Sequence, residues 1–495
     1  MLFSTYEFIL VFLPVTLALY YLLGLWSTRA ANLWLLAASV FFYGWWDVRY
    51  VPLLAFSILW NYAAGLALAR AEGKTVLRRV LLFLAVAVNL ALLGWFKYAD
   101  FFITTANRVI HTGWNLRKII LPLGISFYTF QAISYVADVY LGRTKAERSL
   151  LNLALYISLF PQLIAGPIVD HKSMIPQFFD PEKHRINWEK FSAGITLFSF
   201  ALFKKIVIAD SLSPVVAHVF SEPDTLTMLD AWIGVLSYSL QLYFDFSAYS
   251  EMAIGLGKML NIDFPSNFDS PYQAVSMIDF WRRWHITLGS WIRNYIYIPL
   301  GGNRKGQARK MLNLFIAMAA CGFWHGAGLK YIAWGMMHGG FLIVNHLWRA
   351  FAKERNLRLP KIASAVLTFA CVASGWAVFR AGSLKSGFKI IGTMFSLGKF
   401  ALPAGGKVEN MFSFLYYFDV QFIDMSSYPK PPSLLVPLLM LFSVLAFCLP
   451  SAQKIVEARF KPGWKWLFIT LCALFYPLYA IAGNASLSEF LYFQF

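Results

Sequence analysis

The feature that most restricts the fold of this chain is a series of long apolar segments separated by short basic loops. Residues 51–69 and 80–96 form two such segments, and the loop between them is rich in Lys and Arg. Hydrophobic residues make up 59% of the 495 positions and charged residues only 14%, whereas a soluble domain carries about 25% charged residues. The length allows about ten to twelve spans of about 20 residues each. We therefore predict an all-α polytopic membrane protein with a single transmembrane domain over residues 1–495.

The net charge of +18 at pH 7 would suggest nucleic-acid binding if the protein were soluble. In a membrane protein, an excess of Lys and Arg instead marks the loops that stay in the cytoplasm. We therefore expect contact with the lipid bilayer and none with nucleic acid. The basic loops place the N-terminus outside and residues 282–310 inside. By alternation, the polar stretch 380–432 lies on the outer, periplasmic side, where it offers a surface for a soluble partner.

Four parts of the pattern depart from simple spans. Residues 150–168 are apolar but interrupted by Pro and Gly, which predicts a re-entrant segment whose backbone is covered by protein. Lys204 and Lys205 interrupt another apolar segment, which we expect to cross the membrane only in part. Residues 229–260 predict a hydrophobic hairpin. Residues 277–296 predict an amphipathic helix at the cytoplasmic interface.

Several common kinds of site are missing from the sequence. The four Cys residues stand far apart in apolar segments and form no Cys-x-x-Cys pair, so neither a disulfide framework nor a metal site is predicted. No Gly-x-Ser-x-Gly, P-loop or His-Glu-x-x-His motif is present. These absences disfavour a hydrolase with a nucleophile elbow, a nucleotide triphosphatase and a zinc peptidase.

His325 lies within an apolar segment, and an ionisable side chain at membrane depth suggests a functional site. Counted from Lys310 at the cytoplasmic face, a helix would place His325 about 22 Å into a hydrocarbon core about 30 Å thick. Nearby glycines and Trp324 favour a site, because glycine allows close backbone approach or leaves a cavity beside the ring. The alternative is a core histidine that bonds a carbonyl. Cys321 has the spacing of a nucleophile for this base, but Cys is also common in apolar helices as a small hydrophobic residue.

His285 lies in the predicted interfacial helix, with Trp281 and Arg282 on the same face. Arg suits phosphate recognition by geometry as well as by charge, so this face could dock a phosphate-bearing donor from the cytoplasm. The alternative is an interfacial histidine beside a snorkelling arginine. The candidate donor-binding residues of this region are Trp281, Arg282, Arg283, Arg293, Asn294 and Trp324.

Asp245 introduces a carboxylate into the apolar residues 229–260. Tyr249 stands one helical turn later and therefore on the same face, and Ser250 adds a hydroxyl. A buried acid needs a partner, so Asp245 could orient a histidine or pair with an arginine, and both interpretations remain open. We include Asp245, Tyr249 and Ser250 among the candidate substrate-binding residues.

A buried histidine reached from two sides suits acyl transfer. It can take the proton from an alcohol as the alcohol attacks an activated acyl group. A thioester donor is reactive enough that no covalent enzyme intermediate is required, and a dry cavity limits wasteful hydrolysis. The donor would enter through the basic cytoplasmic mouth, and the acceptor would enter from outside.

Several motifs together resemble one known family. They are FWRRWHITLGSWIRNYIYIPLGGN at residues 280–303, GFWHG at 322–326, YFDFSAYS at 243–250, LPLGISFY at 121–128, LIAGP at 163–167, LFS at 2–4 and FLYFQF at 490–495. The combination covers essentially the whole chain. It resembles the membrane-bound O-acyltransferases and, within them, the alginate O-acetyltransferase branch.

The resemblance implies a ring of about ten to twelve transmembrane helices, with re-entrant and interfacial helices, around a central funnel and with a core at about residues 119–349. It implies that His325 is the catalytic histidine, that His285 is the second one, that no cofactor is bound, and that acetyl-CoA is the donor. It also implies a multi-pass protein of the bacterial inner membrane. Such a protein passes acetyl groups to an exopolysaccharide such as alginate, through a periplasmic partner of the SGNH type.

One position departs from the family pattern. The family commonly has Trp-x-Arg-Asp-Tyr where this chain has Asn294 in place of the Asp. The loss of charge puts in doubt any role for a carboxylate there. Peptidoglycan O-acetylation and teichoic-acid D-alanylation remain alternatives on the same fold, and a histidine-gated transporter or a secretion scaffold are alternatives from other classes. A transporter predicts repeated broken helices, and no internal repeat is visible.

Overall fold

The computed structural model describes residues 1–396, 401–404, 421–423, 428–483 and 490–491. Helices make up most of this described part. Those of the first half are a π-helix at Glu7–Phe12, α1 (Leu13–Gly24), α2 (Thr28–Gly44), a 3-10 turn at Val48–Tyr50, α3 (Val51–Arg70), α4 (Thr75–Leu93), a π-helix at Gly94–Tyr98, α5 (Ala99–Ile110), α6 (Ile125–Tyr140), α7 (Leu150–Ser158), α8 (Phe160–Leu163), α9 (His171–Phe179), a 3-10 turn at Pro181–His184, α10 (Trp188–Phe203), a π-helix at Lys204–Ala209 and α11 (Asp210–Ser221).

The second half begins with the longest of these helices. Its elements are α12 (Met228–Met259), a 3-10 turn at Pro271–Gln273, α13 (Met277–Arg283), α14 (Ile286–Ile292), a π-helix at Arg293–Tyr297, α15 (Gly306–His325), α16 (Leu329–Glu354), α17 (Lys361–Arg380), α18 (Leu384–Met394), β1 (Ala401–Pro403), β2 (Gln421–Ile423), α19 (Pro432–Cys448), α20 (Ala452–Arg459) and α21 (Trp464–Ala482). The two short strands pair in parallel, with Ala401 opposite Gln421.

Helix α12 is the centre of the bundle. It begins with a capping box, in which the side chains of Thr227 and Asp230 each accept a hydrogen bond from the other residue's backbone N–H. Nearly all of its side chains from Ala231 to Met259 are buried, and α10, α11 and α17 pack against it. The prediction of a hairpin over residues 229–260 is therefore wrong, because this segment is one continuous helix enclosed by others.

Six helical segments in the described part are long and apolar enough to cross a membrane. They are Glu7–Gly24, Val48–Arg70, Thr75–Ile110, Trp188–Ser221, Lys361–Arg380 and Trp464–Ala482, and the bent pair Ser433–Cys448 with Ala452–Arg459 would make a seventh. The prediction of an all-α polytopic membrane protein is confirmed. The count is below ten to twelve because some apolar segments form shorter helices, such as α2 with 17 residues and α6 with 16.

The lysine pair does not shorten its helix, contrary to the prediction of a partial span. The helical segment continues through Lys204 and Lys205 to Ser221. Lys204 Nζ lies 2.7 Å from the carboxylate of Glu251, and Lys205 Nζ lies 2.7 Å from that of Asp245. Both acids belong to α12, so the charges are neutralised inside the bundle, as ionisable groups at membrane depth require.

The predicted break in residues 150–168 is confirmed. Helix α7 ends at Ser158, Leu159 has a non-helical ψ of 118°, and α8 follows at once. Residues 152–169 are buried throughout, so protein covers this irregular backbone. In the predicted outer stretch 380–432, α18 and the strand pair are described, and residues 397–400, 405–420 and 424–427 lie outside the described residues.

Candidate active site

His325 is the last residue of α15, and its side chain is buried. Its imidazole centroid lies 5.0 Å from the ring centroid of Trp334 and 5.4 Å from that of Phe379. Helices α15 and α16 cross closely here, because a Cβ on Gly322 would stand only 3.0 Å from the Cα of Gly335. The prediction of a buried histidine beside closely packed glycines is confirmed.

His285 lies at a break between α13 and α14. Its backbone is left-handed, with φ of 44°, a conformation that His tolerates more often than most residues. The Ile286 N–H donates to the backbone carbonyl of Asn267 at 2.9 Å. The prediction of one amphipathic helix over residues 277–296 is wrong, because this contact from another part of the chain stops the helix at His285.

The break also separates His285 from Arg282, which lies within α13. His285 is fully buried, whereas Arg282 is exposed. The prediction that His285 and Arg282 lie on the same helix face is therefore wrong. Sequence periodicity could not reveal this, because the turn depends on bonds to a residue far from the helix.

Asn267 holds the His285 ring, and the sequence analysis missed this residue. The side-chain Oδ1 of Asn267 lies 3.1 Å from His285 Nδ1 and accepts from the Thr287 hydroxyl at 2.9 Å. An amide oxygen only accepts, so Nδ1 carries the hydrogen and Nε2 is the basic nitrogen of the neutral ring. The Nδ2 of Asn267 donates to Ser250 Oγ at 3.0 Å. The structure thus links Ser250 to His285 through one amide.

Trp324 lies near both imidazoles. Its ring centroid is 6.4 Å from that of His285 and 5.0 Å from that of His325. Phe130 stacks on Trp324 at 5.0 Å and on Trp291 at 3.7 Å. Both predicted histidines and Trp324 are therefore brought together in one aromatic cluster.

Lys97 reaches the same cluster from the helical segment Thr75–Ile110 and was also missed. Its Nζ donates to the carbonyl oxygens of Trp324 and His325. It also lines a cavity of about 40 Å³ together with Gly124 and Ser126. A lysine within an apolar segment was the available signal, because such a charge at membrane depth usually has a functional or pairing role.

His338 of α16 is the third buried histidine of this region, and it was not among the predicted site residues. It is fully buried and lies 4.7 Å from Trp334 and 5.4 Å from Trp281 by ring centroids. Among the described residues, neither ring nitrogen of His338 has a hydrogen-bond partner. Its place in the sequence GMMHGG carried the same signal as His325, a histidine among glycines in an apolar segment.

Asp245 pairs with a lysine instead of the histidine or arginine considered from sequence. Its Oδ1 lies 2.7 Å from Lys205 Nζ, which also lies 2.8 Å from Asp210. Its Oδ2 accepts from the Leu491 N–H at 2.9 Å. Tyr249 is buried beside this network. These contacts give Asp245 a structural role that sequence spacing alone could not reveal.

The basic residues of the predicted donor site differ in their surroundings. Arg282 and Arg293 are exposed, and Asn294 is half-buried in the π-helix Arg293–Tyr297. Arg283 is engaged, because its Nε donates to Asp279 at 2.9 Å. The half-buried Trp281 packs against His338. Within the described part of the chain, no group of three or more His, Cys, Asp or Glu side chains could hold a metal ion.

The cluster could support transfer of a group between two substrates. A neutral imidazole can remove a proton from an attacking hydroxyl and return it to a leaving group. The surrounding aromatic rings would keep water away, which preserves a reactive donor. His285 is fixed in one tautomer, and His325 lies at a helix end that is bonded to Lys97.

Comparison with known proteins decides which chemistry applies. A model described as "MBOAT, membrane-bound O-acyltransferase family" matches residues 146–381, a range that contains both histidines. A probable alginate O-acetylase of Pseudomonas putida is 44% identical over 406 residues, which is 81% of this chain and 82% of that protein. This chain belongs to the membrane-bound O-acyltransferase family. It is therefore an O-acyltransferase and a multi-pass membrane protein.

Other members of the family differ in the polymer that their names state. A peptidoglycan O-acetyltransferase of Helicobacter pylori is 36% identical and aligns with 100% of this chain and 98% of its own length. A teichoic acid D-alanyltransferase of Bacillus subtilis is 25% identical over 52% of this chain and 68% of its own length. The two relatives named for acetyl transfer thus align with more of this chain than the D-alanyltransferase does.

Proposed function

We propose that this O-acyltransferase moves an acetyl group from a cytoplasmic thioester donor, acetyl-CoA, across the bacterial inner membrane for the O-acetylation of an exopolysaccharide such as alginate. The observation that carries the proposal is the buried cluster of His285, Trp324 and His325 in a chain 44% identical to a probable alginate O-acetylase. A periplasmic partner of the SGNH type would receive the acetyl group and modify the polymer.

In the proposed reaction, His325 is the general base. Its neutral imidazole takes the proton of the acceptor hydroxyl while the hydroxyl oxygen attacks the carbonyl carbon of the thioester. The tetrahedral intermediate then expels the thiolate, which takes the proton back from the imidazolium, so the products are an ester and a thiol. His285, with Nδ1 bonded to Asn267, presents Nε2 as a second basic or hydrogen-bonding group. No nucleophile of the enzyme is needed, and Cys321 has no role in this scheme.

The donor would approach from the face that carries the exposed arginines. Arg282 and Arg293 are exposed, which supports their binding the phosphates of the donor. Arg283 would act less directly because it already bonds Asp279. Trp281 and Asn294 complete the proposed donor-binding residues, and Trp324 would pack against the acyl group between the histidines.

Peptidoglycan is the second candidate acceptor. The relative from Helicobacter pylori aligns with the whole chain, including residues that the relative from Pseudomonas putida does not cover. The two candidates share the donor, the histidines and the direction of transfer. Deletion of the gene followed by ester analysis of each polymer separates them, because only the true acceptor loses its acetyl groups.

The sidedness of the donor tests the proposal directly. Inside-out and right-side-out membrane vesicles that contain the protein are given acetyl-CoA labelled in the acetyl group. We expect the labelled acetyl group to reach the vesicle lumen in inside-out vesicles only. In inside-out vesicles that contain the His325→Ala variant, the label should stay on acetyl-CoA. Equal transfer from both orientations, or transfer by His325→Ala, would contradict the proposal.

A further inference from the structure

The end of α15 is held by two consecutive residues of another helical segment, Lys97 and Tyr98. The last four carbonyls of an α-helix have no partner within the helix. The Tyr98 hydroxyl donates to the carbonyl of Phe323 at 2.7 Å. The Lys97 ammonium donates to the carbonyl of Trp324 at 2.6 Å and to that of His325 at 3.2 Å. Three successive carbonyls at this helix end are therefore satisfied by two side chains.

A π-helical turn brings these two side chains to the same place. The turn Gly94–Tyr98 lies within the long helical segment Thr75–Ile110. Its hydrogen bonds span five residues, so the turn is wider than in an α-helix and adjacent side chains diverge less. The ring of Tyr98 stacks on that of Phe323 at 4.3 Å, which fixes the direction of the hydroxyl. π-Helical turns occur frequently at functional sites.

Lys97 supplies the charge that this helix end favours. The C-terminus of a helix carries a partial negative charge, and a cation beside it is stabilising. The third hydrogen bond of the ammonium goes to Ser126 Oγ at 3.3 Å, and Nζ lies 5.6 Å from the ring centroid of Trp324. Lys97 thus contacts Trp324 through both its carbonyl and its ring. Lys97 therefore holds both His325 and Trp324, the residue whose ring lies near both histidines.

We propose that Lys97 and Tyr98 are positioning residues of the transfer site, which hold the end of α15 so that the His325 imidazole meets the acceptor hydroxyl. This inference rests on the proposed function, in which His325 is the general base. A base must lie within hydrogen-bond reach of the proton that it removes, and a displacement of about 1 Å can lower the rate about 100-fold. Loss of these bonds slows the transfer step, while the exposed Arg282 and Arg293, which we propose bind the phosphates of the donor, are untouched.

Initial rates at varied acetyl-CoA, in inside-out vesicles that contain the full-length protein, test this role. Lys97→Met keeps the length of the side chain and removes its donors, and we expect kcat to fall about 100-fold with an unchanged KM for acetyl-CoA. Lys97→Arg should recover most of the rate, because a guanidinium can donate to both carbonyls. Tyr98→Phe keeps the ring and loses one bond, so kcat should fall about tenfold. Tyr62→Phe is the matched control, since the Tyr62 hydroxyl also donates to a backbone carbonyl, that of Arg148, which is not part of the cluster.

The outcomes separate this inference from the proposed function. Parental kcat in both Lys97→Met and Tyr98→Phe, or a rise in KM alone, overturns the positioning role. If Lys97→Met fails to insert into the membrane, the kcat of Tyr98→Phe is compared with that of Tyr62→Phe. A lower kcat in Tyr98→Phe supports the positioning role, and equal values overturn it. Parental activity in His325→Ala would instead overturn the proposed function, whatever the Lys97 and Tyr98 variants do.

Discussion

At the scale of single residues, the ion pair of Lys205 with Asp245 allows both charged side chains to be buried inside the bundle. Both side chains are almost fully buried, and their charged atoms lie 2.7 Å apart. Removal of one partner from a buried pair leaves an uncompensated charge, which costs about 3–5 kcal/mol. The remaining bond from Lys205 to Asp210 reduces this cost without removing it.

We predict that Asp245→Asn acts on stability and not on chemistry. The thermal unfolding midpoint of the detergent-purified protein should fall clearly, while activity per folded molecule stays near that of the parent. Asp47→Asn is the control, because its partner Arg49 is largely exposed and surface pairs contribute little. A normal midpoint with lost activity would show that Asp245 binds substrate after all.

Sequence reasoning selected two of the histidines that lie in the buried cluster, His285 and His325, but not His338, which stands among glycines in the same way as His325. His325 lies in the aromatic cluster near a helix crossing, as expected. Asn267 and Lys97 were missed because their importance comes from bonds to backbone and side-chain atoms distant in sequence. Asn294, the departure from the family pattern, lies half-buried beside the exposed Arg293 and supplies no carboxylate at that position.

At the scale of elements, the crossing of α15 and α16 sets the position of His325. A Cβ on Gly335 would overlap the carbonyl oxygen of Met318 and would stand 3.0 Å from the Cα of Gly322. Rigid backbone on both sides cannot yield, and overpacking of this kind typically costs about 1–3 kcal/mol.

We predict that Gly335→Ala lowers both the unfolding midpoint and the transfer rate, because it forces apart the helices that carry the cluster. Gly340→Ala on the same helix is the matched control, since a Cβ there meets nothing within 4 Å and alanine favours the helix. Thermal unfolding and activity per folded molecule measure the two effects. Equal behaviour of the two variants would contradict the close crossing.

Local sequence patterns predicted two helix boundaries wrongly. The periodicity of residues 277–296 favoured one helix, yet bonds from Asn267 end it at His285. Residues 229–260 were predicted to form a hairpin, yet ion pairs with the two lysines of the π-helix Lys204–Ala209 allow one long buried helix. Hydrophobic patterning predicted which segments are helical, and local Pro and Gly predicted the break in residues 150–168, whereas the break at His285 depends on a partner outside the helix.

At the scale of the whole molecule, both described ends of the chain pack against the central helix. The rings of Phe3 and Phe490 each lie 4.9 Å from that of Tyr249. The ammonium of Lys205 lies 4.6 Å from the ring centroid of Phe490, and the next residue bonds Asp245. The motifs at the two ends of the sequence therefore meet at one place in the fold.

We predict that Phe490→Ala destabilises the whole bundle, because it removes a buried ring that joins the C-terminal segment to α12. Loss of a buried phenylalanine typically costs about 3–5 kcal/mol, so the unfolding midpoint should fall markedly. Phe388→Ala is the control, since Phe388 is 50% exposed on α18. An unchanged midpoint in Phe490→Ala would contradict this role of the C-terminal segment.

Acetyl ester content of the secreted polymer tests the central claim most directly. Cells that lack the chromosomal gene carry the parent, His325→Ala or His111→Asn, at matched amounts of membrane-inserted protein. His111 is an exposed histidine with a left-handed backbone that Asn tolerates. We predict parental acetylation with His111→Asn and a loss of at least about 100-fold with His325→Ala. Normal acetylation by His325→Ala would contradict it.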